Sequence, residues 1–359
     1  MGSHKSYDKY RSKKMKTKEI KIGNISIGGG NKIAIQSMTN TPTTDVDATC
    51  EQISRLINAG CDIVRVAAPN AQAARAIKQI KNFCTIPLVA DIHFDYKLAV
   101  TAIENGADKI RINPGNVPIK GLDEIIDCAK SHKIAIRLGV NSGSADKNLL
   151  EKYKDKNLAL VESLLSYVDY FEKKGFYDIV LSIKSSNVRE TVELNKLISS
   201  KRDYPLHIGL TEAGVPEVGI VKNSVAIAEL LSQGIGDTIR VSLTADPVKE
   251  VFVAKEILRS LGQKVNGVEF VSCPKCGRCV INLEEIASVV YDHVKNINKN
   301  IKVAVMGCEV NGPGECADAD IGLAGGKKIS FFKHGKIYKT VEQENAVEEF
   351  LKEIDGITK

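Results

Sequence analysis

CDIVRVAAPNAQAARAIKQIKNFCTIPLVADIH, residues 61–93, holds one complete structural period. A short run rich in Val and Ile (CDIVRVA) leads through a polar turn into a stretch with apolar residues at helical spacing (AARAIKQIKNF). A second apolar run, IPLVADIH, follows. Strands separated by a full helix cannot pair as a hairpin, so the crossover sets them side by side, parallel and right-handed.

The period recurs through the first 245 residues or so. The apolar runs are KIAIQSM, CDIVRVA, IPLVADIH, DKIRINP, KIAIRLGV, DIVLSIK, LHIGLTE and DTIRVSL, eight in all. Between them lie helical stretches such as ATCEQISRLINAG, LDEIIDCAKSH and VAIAELLSQG, several closing on Gly as helix C-termini tend to. Eight βα units of this length predict a (β/α)₈ TIM barrel. An open doubly wound sheet shares the alternation, but no GxGxxG turn follows an early strand; the GGG at 28–30 has the wrong spacing and place.

Parallel barrel strands, covered on both faces, should be almost uninterruptedly apolar. Here nearly every run carries a polar residue late in its length: Arg65, Asp91 with His93, Arg111 with Asn113, Arg137 with Asn141, Lys184, Glu212, and Arg240 with Ser242. The C-terminal ends of barrel strands form the mouth where active sites of this fold lie. An arginine in a strand can simply pair with a nearby carboxylate. A set of five cations at equivalent places is costly to bury unless an anion completes it. Guanidinium groups suit bidentate contact with phosphate oxygens, so the expected substrate is phosphorylated, with Lys184 and Arg240 foremost among its ligands. Glu212 is the expected general acid or base, with Asp91 and His93 as second candidates or as supports for the cations.

The chain of 359 residues exceeds the size at which one core stops growing, so a second, smaller domain is expected. The predicted organisation is a disordered basic leader at 1–18, a barrel at 19–264 and an α/β domain at 265–359. The formal charge of +6 is carried entirely by residues 1–21, with eight basic against two acidic side chains, and the body is neutral. Without a basic stripe or interleaved aromatics beyond that leader, nucleic-acid binding is not expected. Nor is a membrane span or secretory signal, so the expected location is the cytoplasm.

Cys50, Cys61, Cys84 and Cys128 lie singly among apolar neighbours and read as buried thiols, whereas Cys273, Cys276, Cys279, Cys308 and Cys316 crowd into 44 residues. In a reducing compartment such clustering argues for metal. Zinc would want a second CxxC or a His pair, and a redox dithiol would not need Cys308. An iron–sulfur cluster wants thiolates on glycine-bearing loops, which CGRC and GCEVNGPGE supply. The readings this leaves open are a reductive enzyme acting on a phosphorylated molecule, a zinc-dependent phosphosugar aldolase or synthase, and a non-catalytic electron carrier, for which the cations would have no use.

QSMTNT (36–41), DIVRV (62–66), ADIHF (90–94), KIRINPGN (109–116), IRLGVNSGS (136–144), SIKSS (182–186), GLTEAG (209–214), SCPKCGR (272–278) and VMGCEVNGPGE (305–315) together resemble the bacterial-type (E)-4-hydroxy-3-methylbut-2-enyl diphosphate synthase family of the methylerythritol phosphate route. The resemblance runs from about residue 19 to the C-terminus, and the paired cysteine motifs are highly specific. It implies a TIM barrel that binds 2-C-methyl-D-erythritol 2,4-cyclodiphosphate and a smaller domain with a [4Fe–4S] cluster. Electrons would come from flavodoxin or ferredoxin, and a head-to-tail homodimer would bring the cluster of one subunit over the mouth of its partner. By position, Arg65, Arg111, Arg137, Lys184, Arg240 and Ser242 would hold the diphosphate, with Asn113 and Asn141 assisting and Glu212 as acid or base. The cluster ligands would be Cys273, Cys276, Cys308 and Glu315, the carboxylate leaving one iron open to a substrate oxygen. Cys279 and Cys316 depart from the family pattern as additional thiols, expected not to be ligands.

Overall fold

The apolar runs form eight strands: Ala34–Met38 (β3), Ile63–Ala67 (β4), Leu88–Asp91 (β5), Lys109–Ile112 (β6), Ala135–Asn141 (β7), Ile179–Lys184 (β8), His207–Ile208 (β9) and Thr238–Ile239 (β10). The computed structural model describes residues 16–141, 147–309, 314 and 316–358. All eight strands pair in parallel in the order β8-β7-β6-β5-β4-β3-β10-β9, and a parallel bridge between Leu181 and Leu206 joins the two ends of the row. The sheet therefore closes on itself, as the count of eight requires.

A helix follows each strand: Val46–Ala59, Ala71–Phe83, Tyr96–Glu104, Ile119–His132, Lys156–Lys173, Val188–Lys201, Pro216–Ser232 and Pro247–Ser260. Six of their starts are fixed by side-chain caps, among them Asp45 accepting from Ala48 N and Asn70 from Ala73 N, and the first helix ends on Gly60 in the left-handed conformation. The seventh begins nine residues before the stretch VAIAELLSQG, because Pro216 at its first turn fixes φ and needs no hydrogen bond there.

Two elements fall outside the repeating period. A hairpin of Ile20–Ile22 (β1) and Ile25–Ile27 (β2) packs Ile20, Ile22 and Ile27 against Ala34, Ile63, Val89, Ala135 and Val180, the first inward residues of five barrel strands. It plugs the N-terminal end of the barrel with hydrocarbon. Lys147–Tyr153 forms a short additional helix.

The chain divides between Gln263 and Lys264. The second unit is a five-stranded sheet, Glu269–Ser272 (β11), Lys302–Met306 (β12), Ile321–Ala324 (β13), Ile329–Lys333 (β14) and Lys336–Val341 (β15), in sequential order. The first three strands are parallel and the last three antiparallel. Helices Leu283–Val294 and Ala346–Thr358 cover one face, burying Val290, Val294, Phe350 and Ile354 against Val303, Val305, Leu323 and Phe331. β13 lies in a stretch the sequence reads as the end of a loop; its four residues are all buried.

Candidate active site and metal centre

Arg65, Asp91, Arg111 and Arg137 come from four consecutive strands, with Asp91 opposite Arg111 and Arg111 opposite Arg137 in the parallel register. All four are buried, Arg137 to within 2 % of complete enclosure. Asp91 anchors the group: Arg111 Nη1 donates to its Oδ1 at 3.2 Å and Arg65 Nε lies 3.9 Å from its Oδ2. Burial alone would raise the Asp91 carboxyl, but Arg65, the contact with His93, Arg111 and Arg137 outweigh that and hold it below the usual carboxylate range. Arg65 is itself drawn down to about 10 by burial, against the attraction of Asp91. Arg137 is lowered by burial and then by Arg65 and Arg111.

Lys184 ends β8 and is lowered by burial, then by Arg137 and Arg240. It sits beside Gly209, where φ is +144° and a Cβ would stand 2.2 Å from the Arg240 carbonyl oxygen and 3.2 Å from Lys184 Nζ. Only glycine lets these two cation-bearing strands converge there. Arg240 follows β10 and donates through Nη2 to Glu250 Oε1 at 3.2 Å. The same carboxylate accepts from Leu243 N and from Ser37 Oγ.

The remaining candidates border this group. His93 is half-exposed, its Nε2 3.5 Å from both Asp91 Oδ2 and Arg111 Nη1. Asn113 is buried and its Oδ1 accepts from Gly115 N, fixing the turn after β6. Asn141 ends β7 opposite Lys184. The backbone of Ser242 is held on both sides by the amide of buried Asn223. Glu212 is exposed and lies beyond β9 in a left-handed turn with φ +52°. A non-glycine residue there is strained, as functional turns often are.

Sequence reasoning missed several members of the site. Glu250 sits on a helix otherwise read as packing and gave no signal. Lys109 and His207 face the interior, both fully enclosed, and are lowered by burial and by Arg137. Lys109 was legible, standing two residues before Arg111 and so on the same strand face. Among the described residues, Lys109 Nζ, Arg111 Nε, Arg137 Nε and Nη1, and Arg240 Nε are buried with no protein acceptor. So many donors aimed into one space describe an anion site that the protein alone does not complete.

In the second unit Cys273 follows β11 and Cys308 lies two residues beyond β12, and the register pairs Ser272 with Val305, so both cysteines leave the same edge of a parallel pair. Cys273 Sγ accepts from Gly307 N at 3.2 Å. Cys276 is exposed, and the Arg278 amide and charge draw its thiol below the ordinary value. Such amide and cationic neighbours stabilise a thiolate, the form that binds iron. Cys279 Sγ points to Ile281 O at 3.3 Å and packs against Gly307, whose Cβ, if present, would lie 2.7 Å from it. Cys316 is buried with Ala304, Met306 and Ala319. Glu315 lies outside the described residues, and among those described no three His, Cys, Asp or Glu side chains are gathered into a metal site. Of the scattered thiols, Cys61 and Cys84 are buried, Cys50 and Cys128 only partly so.

Residues 17–255 match the GcpE TIM-barrel domain and residues 269–356 the GcpE protein C-terminal domain. A 4-hydroxy-3-methylbut-2-en-1-yl diphosphate synthase (flavodoxin) of Caldanaerobacter subterraneus subsp. tengcongensis is 57 % identical over 346 residues, 96 % of this chain and 98 % of that one. The same-named protein of Clostridium perfringens is 53 % identical over 344 residues, 95 % of this chain and 99 % of that one. Among solved structures, 7,8-dihydropteroate synthase from Vibrio fischeri superposes with a TM-score of 0.52 at 15 % identity, covering 69 % of this chain and all of that one. At that identity the likeness concerns the barrel fold alone.

Proposed function

Because the chain belongs to the GcpE family, we propose that it is a 4-hydroxy-3-methylbut-2-en-1-yl diphosphate synthase of isoprenoid biosynthesis. It converts 2-C-methyl-D-erythritol 2,4-cyclodiphosphate, two electrons and two protons into the allylic diphosphate and water. The observation that carries the reading is the convergence of Arg65, Arg111, Arg137, Lys184 and Arg240 at one end of the barrel, with buried N–H groups that no acceptor among the described residues satisfies. The full-length match to named synthases favours it over a zinc-dependent aldolase or an electron carrier.

In this reading Arg111, Arg137, Lys184 and Arg240 hold the diphosphate oxygens, and Ser242, Asn113 and Asn141 complete the contacts. Arg65 is held in place by Asp91, which stays ionised and fixes Arg111 as well. His93, with one ring nitrogen on this pair, orients the same cations. Glu212 delivers the proton that leaves with the departing oxygen as water. Cys273, Cys276, Cys308 and Glu315 hold a [4Fe–4S] cluster, which when bound supplies the electrons and a Lewis-acidic iron. Cys279 and Cys316 are not ligands. Flavodoxin, named in the relatives, is the proposed donor, ferredoxin the alternative. The working form is a cytoplasmic head-to-tail homodimer, and among the described residues no helix is long and apolar enough to cross a membrane.

The test is anaerobic turnover of the cyclodiphosphate by the iron-loaded enzyme with reduced flavodoxin. Appearance of the allylic diphosphate is expected; its absence from protein with a full complement of iron overturns the assignment.

A further inference from the structure

Lys109 is rooted low in the barrel, in register through Val89 with Arg65 and one inward position below Arg111. Its backbone is level with Val89 on one side and Ala135 on the other, in the hydrocarbon layer that the Ile20–Ile27 hairpin seals. From that floor its side chain rises into the enclosed interior: the residue is fully buried, and Nζ has no hydrogen-bond partner among the described residues. The ionisable groups facing the same interior are Arg65 on β4, Asp91 on β5, Arg111 on its own strand, Arg137 on β7, Lys184 on β8, His207 on β9 and Arg240 after β10, with Glu250 behind Arg240. Both carboxylates are already engaged, Asp91 by Arg65 and Arg111, Glu250 by Arg240, Ser37 and Leu243. The hairpin side of the layer supplies only isoleucine.

A full charge on Lys109 therefore lacks any counter-charge while the mouth is empty. We propose that Lys109 is a positioning residue of the substrate site: its amine is uncharged in the empty barrel and takes up a proton when the doubly anionic substrate settles above it, so that binding carries a proton into the site. The bond formed is N–H at Nζ, the proton coming from solvent, and no electron moves. The amine's lowered affinity for protons, set by burial and by Arg137 and Arg65, agrees with this order of events. In the bound state the new ammonium supports Arg137 from beneath by balancing the substrate's second negative charge. The inference rests on the substrate reading above. A cyclic diphosphate has no secondary ionisation near neutral pH, so its own charge stays constant and proton uptake reports the protein.

The experiment is calorimetric titration of the iron-loaded enzyme with 2-C-methyl-D-erythritol 2,4-cyclodiphosphate, anaerobically, from pH 6 to 9 in pairs of buffers with different ionisation heats. Wild type and Lys109→Met are compared. Wild type is expected to take up protons on binding and to bind more weakly as pH rises. Lys109→Met is expected to take up as much as one proton fewer, to show a flatter pH dependence, and to bind on the order of tenfold more weakly at the acidic end. The thermal midpoint of ligand-free Lys109→Met is expected to rise, because a buried amine without a partner is replaced by hydrocarbon of similar length. Equal proton uptake in the two proteins, or a lower midpoint in the variant, overturns the inference while leaving the substrate reading intact. No binding of the cyclodiphosphate by wild type overturns both.

Discussion

The Arg240 guanidinium reaches Glu250 Oε1 at 3.2 Å, although Arg240 follows the last barrel strand and Glu250 sits on the helix that leaves it. The other carboxylate oxygen accepts from Ser37 on the first barrel strand, so Glu250 ties the last strand to the first. Glu250→Gln keeps the shape but exchanges one acceptor for a donor, leaving either Ser37 or the Arg240 and Leu243 pair without its oxygen. The expected loss is about 1.5–3 kcal/mol of stability, read from urea unfolding. A KM for the cyclodiphosphate raised roughly tenfold with kcat little changed is expected alongside, since Arg240 loses its support and not its charge. A variant as stable as wild type would show that the carboxylate does not hold these strands together.

Asp91 stabilises through Arg65 and Arg111, and its folded proton affinity lies below its unfolded one. Its contribution is therefore fully present above the unfolded value of about 3.9 and is lost only as pH falls below it. Asp91→Asn is expected to cost about 3–5 kcal/mol at neutral pH, as when one partner of a buried pair is removed. The gap from wild type should narrow as pH falls below about 4, measured by urea midpoints across pH. A gap independent of pH would assign the cost to packing.

The barrel was legible because runs such as IVRVA and IVLSIK are long enough to show continuous apolarity, and because a charge in a buried parallel strand has few explanations other than the mouth. Glu250 was not legible: on a helix with Val251 and Ala254 buried beside it, it looks like any polar residue of an outer layer. The Ile20–Ile27 hairpin and β13 were missed because three- and four-residue strands carry too little pattern to separate from turn or loop. Lys109 was passed over because an interior lysine below the catalytic level contradicts the rule that charges gather at the mouth. The cysteine spacing announced metal, and the missing second CxxC or His pair together with glycine-bearing loops favoured iron over zinc, while the ligand set came only from the resemblance.

Lys184 is expected to trade stability for binding. In the ligand-free protein burial and the neighbouring Arg137 and Arg240 lower its proton affinity. The unfolded chain then binds more protons than the folded one, so wild-type stability climbs as pH rises toward the ordinary lysine value of about 10.4. Lys184→Met removes that residue's share of the slope, leaving the share of Lys109. Its thermal midpoint at pH 7 should exceed that of wild type by about 2–4 °C for each kcal/mol recovered. Affinity for the cyclodiphosphate should fall on the order of ten- to hundredfold, the worth of a charge-assisted hydrogen bond. A variant that loses both stability and affinity would mean that Lys184 already has a counter-charge in the empty barrel.

Gly307 joins β12 to Cys308 at a point where two thiols meet the backbone. Its N–H donates to Cys273 Sγ, and a Cβ would stand 2.7 Å from Cys279 Sγ and 3.2 Å from Leu283 Cδ2. Gly307→Ala should therefore overpack the site and cost about 1–3 kcal/mol. The strain lies on Cys279, so removing that thiol should relieve it. The double variant Cys279→Ala with Gly307→Ala is expected to regain most of the stability, giving a favourable coupling of about 1–2 kcal/mol in a double-mutant cycle. Cys279→Ala alone should retain the full iron content after anaerobic reconstitution, since that thiol turns to Ile281 O and the domain core. Urea unfolding and iron-to-protein ratios read the two effects separately. Additive stabilities would place the strain on Leu283 instead, and lost iron in Cys279→Ala would make that cysteine a ligand.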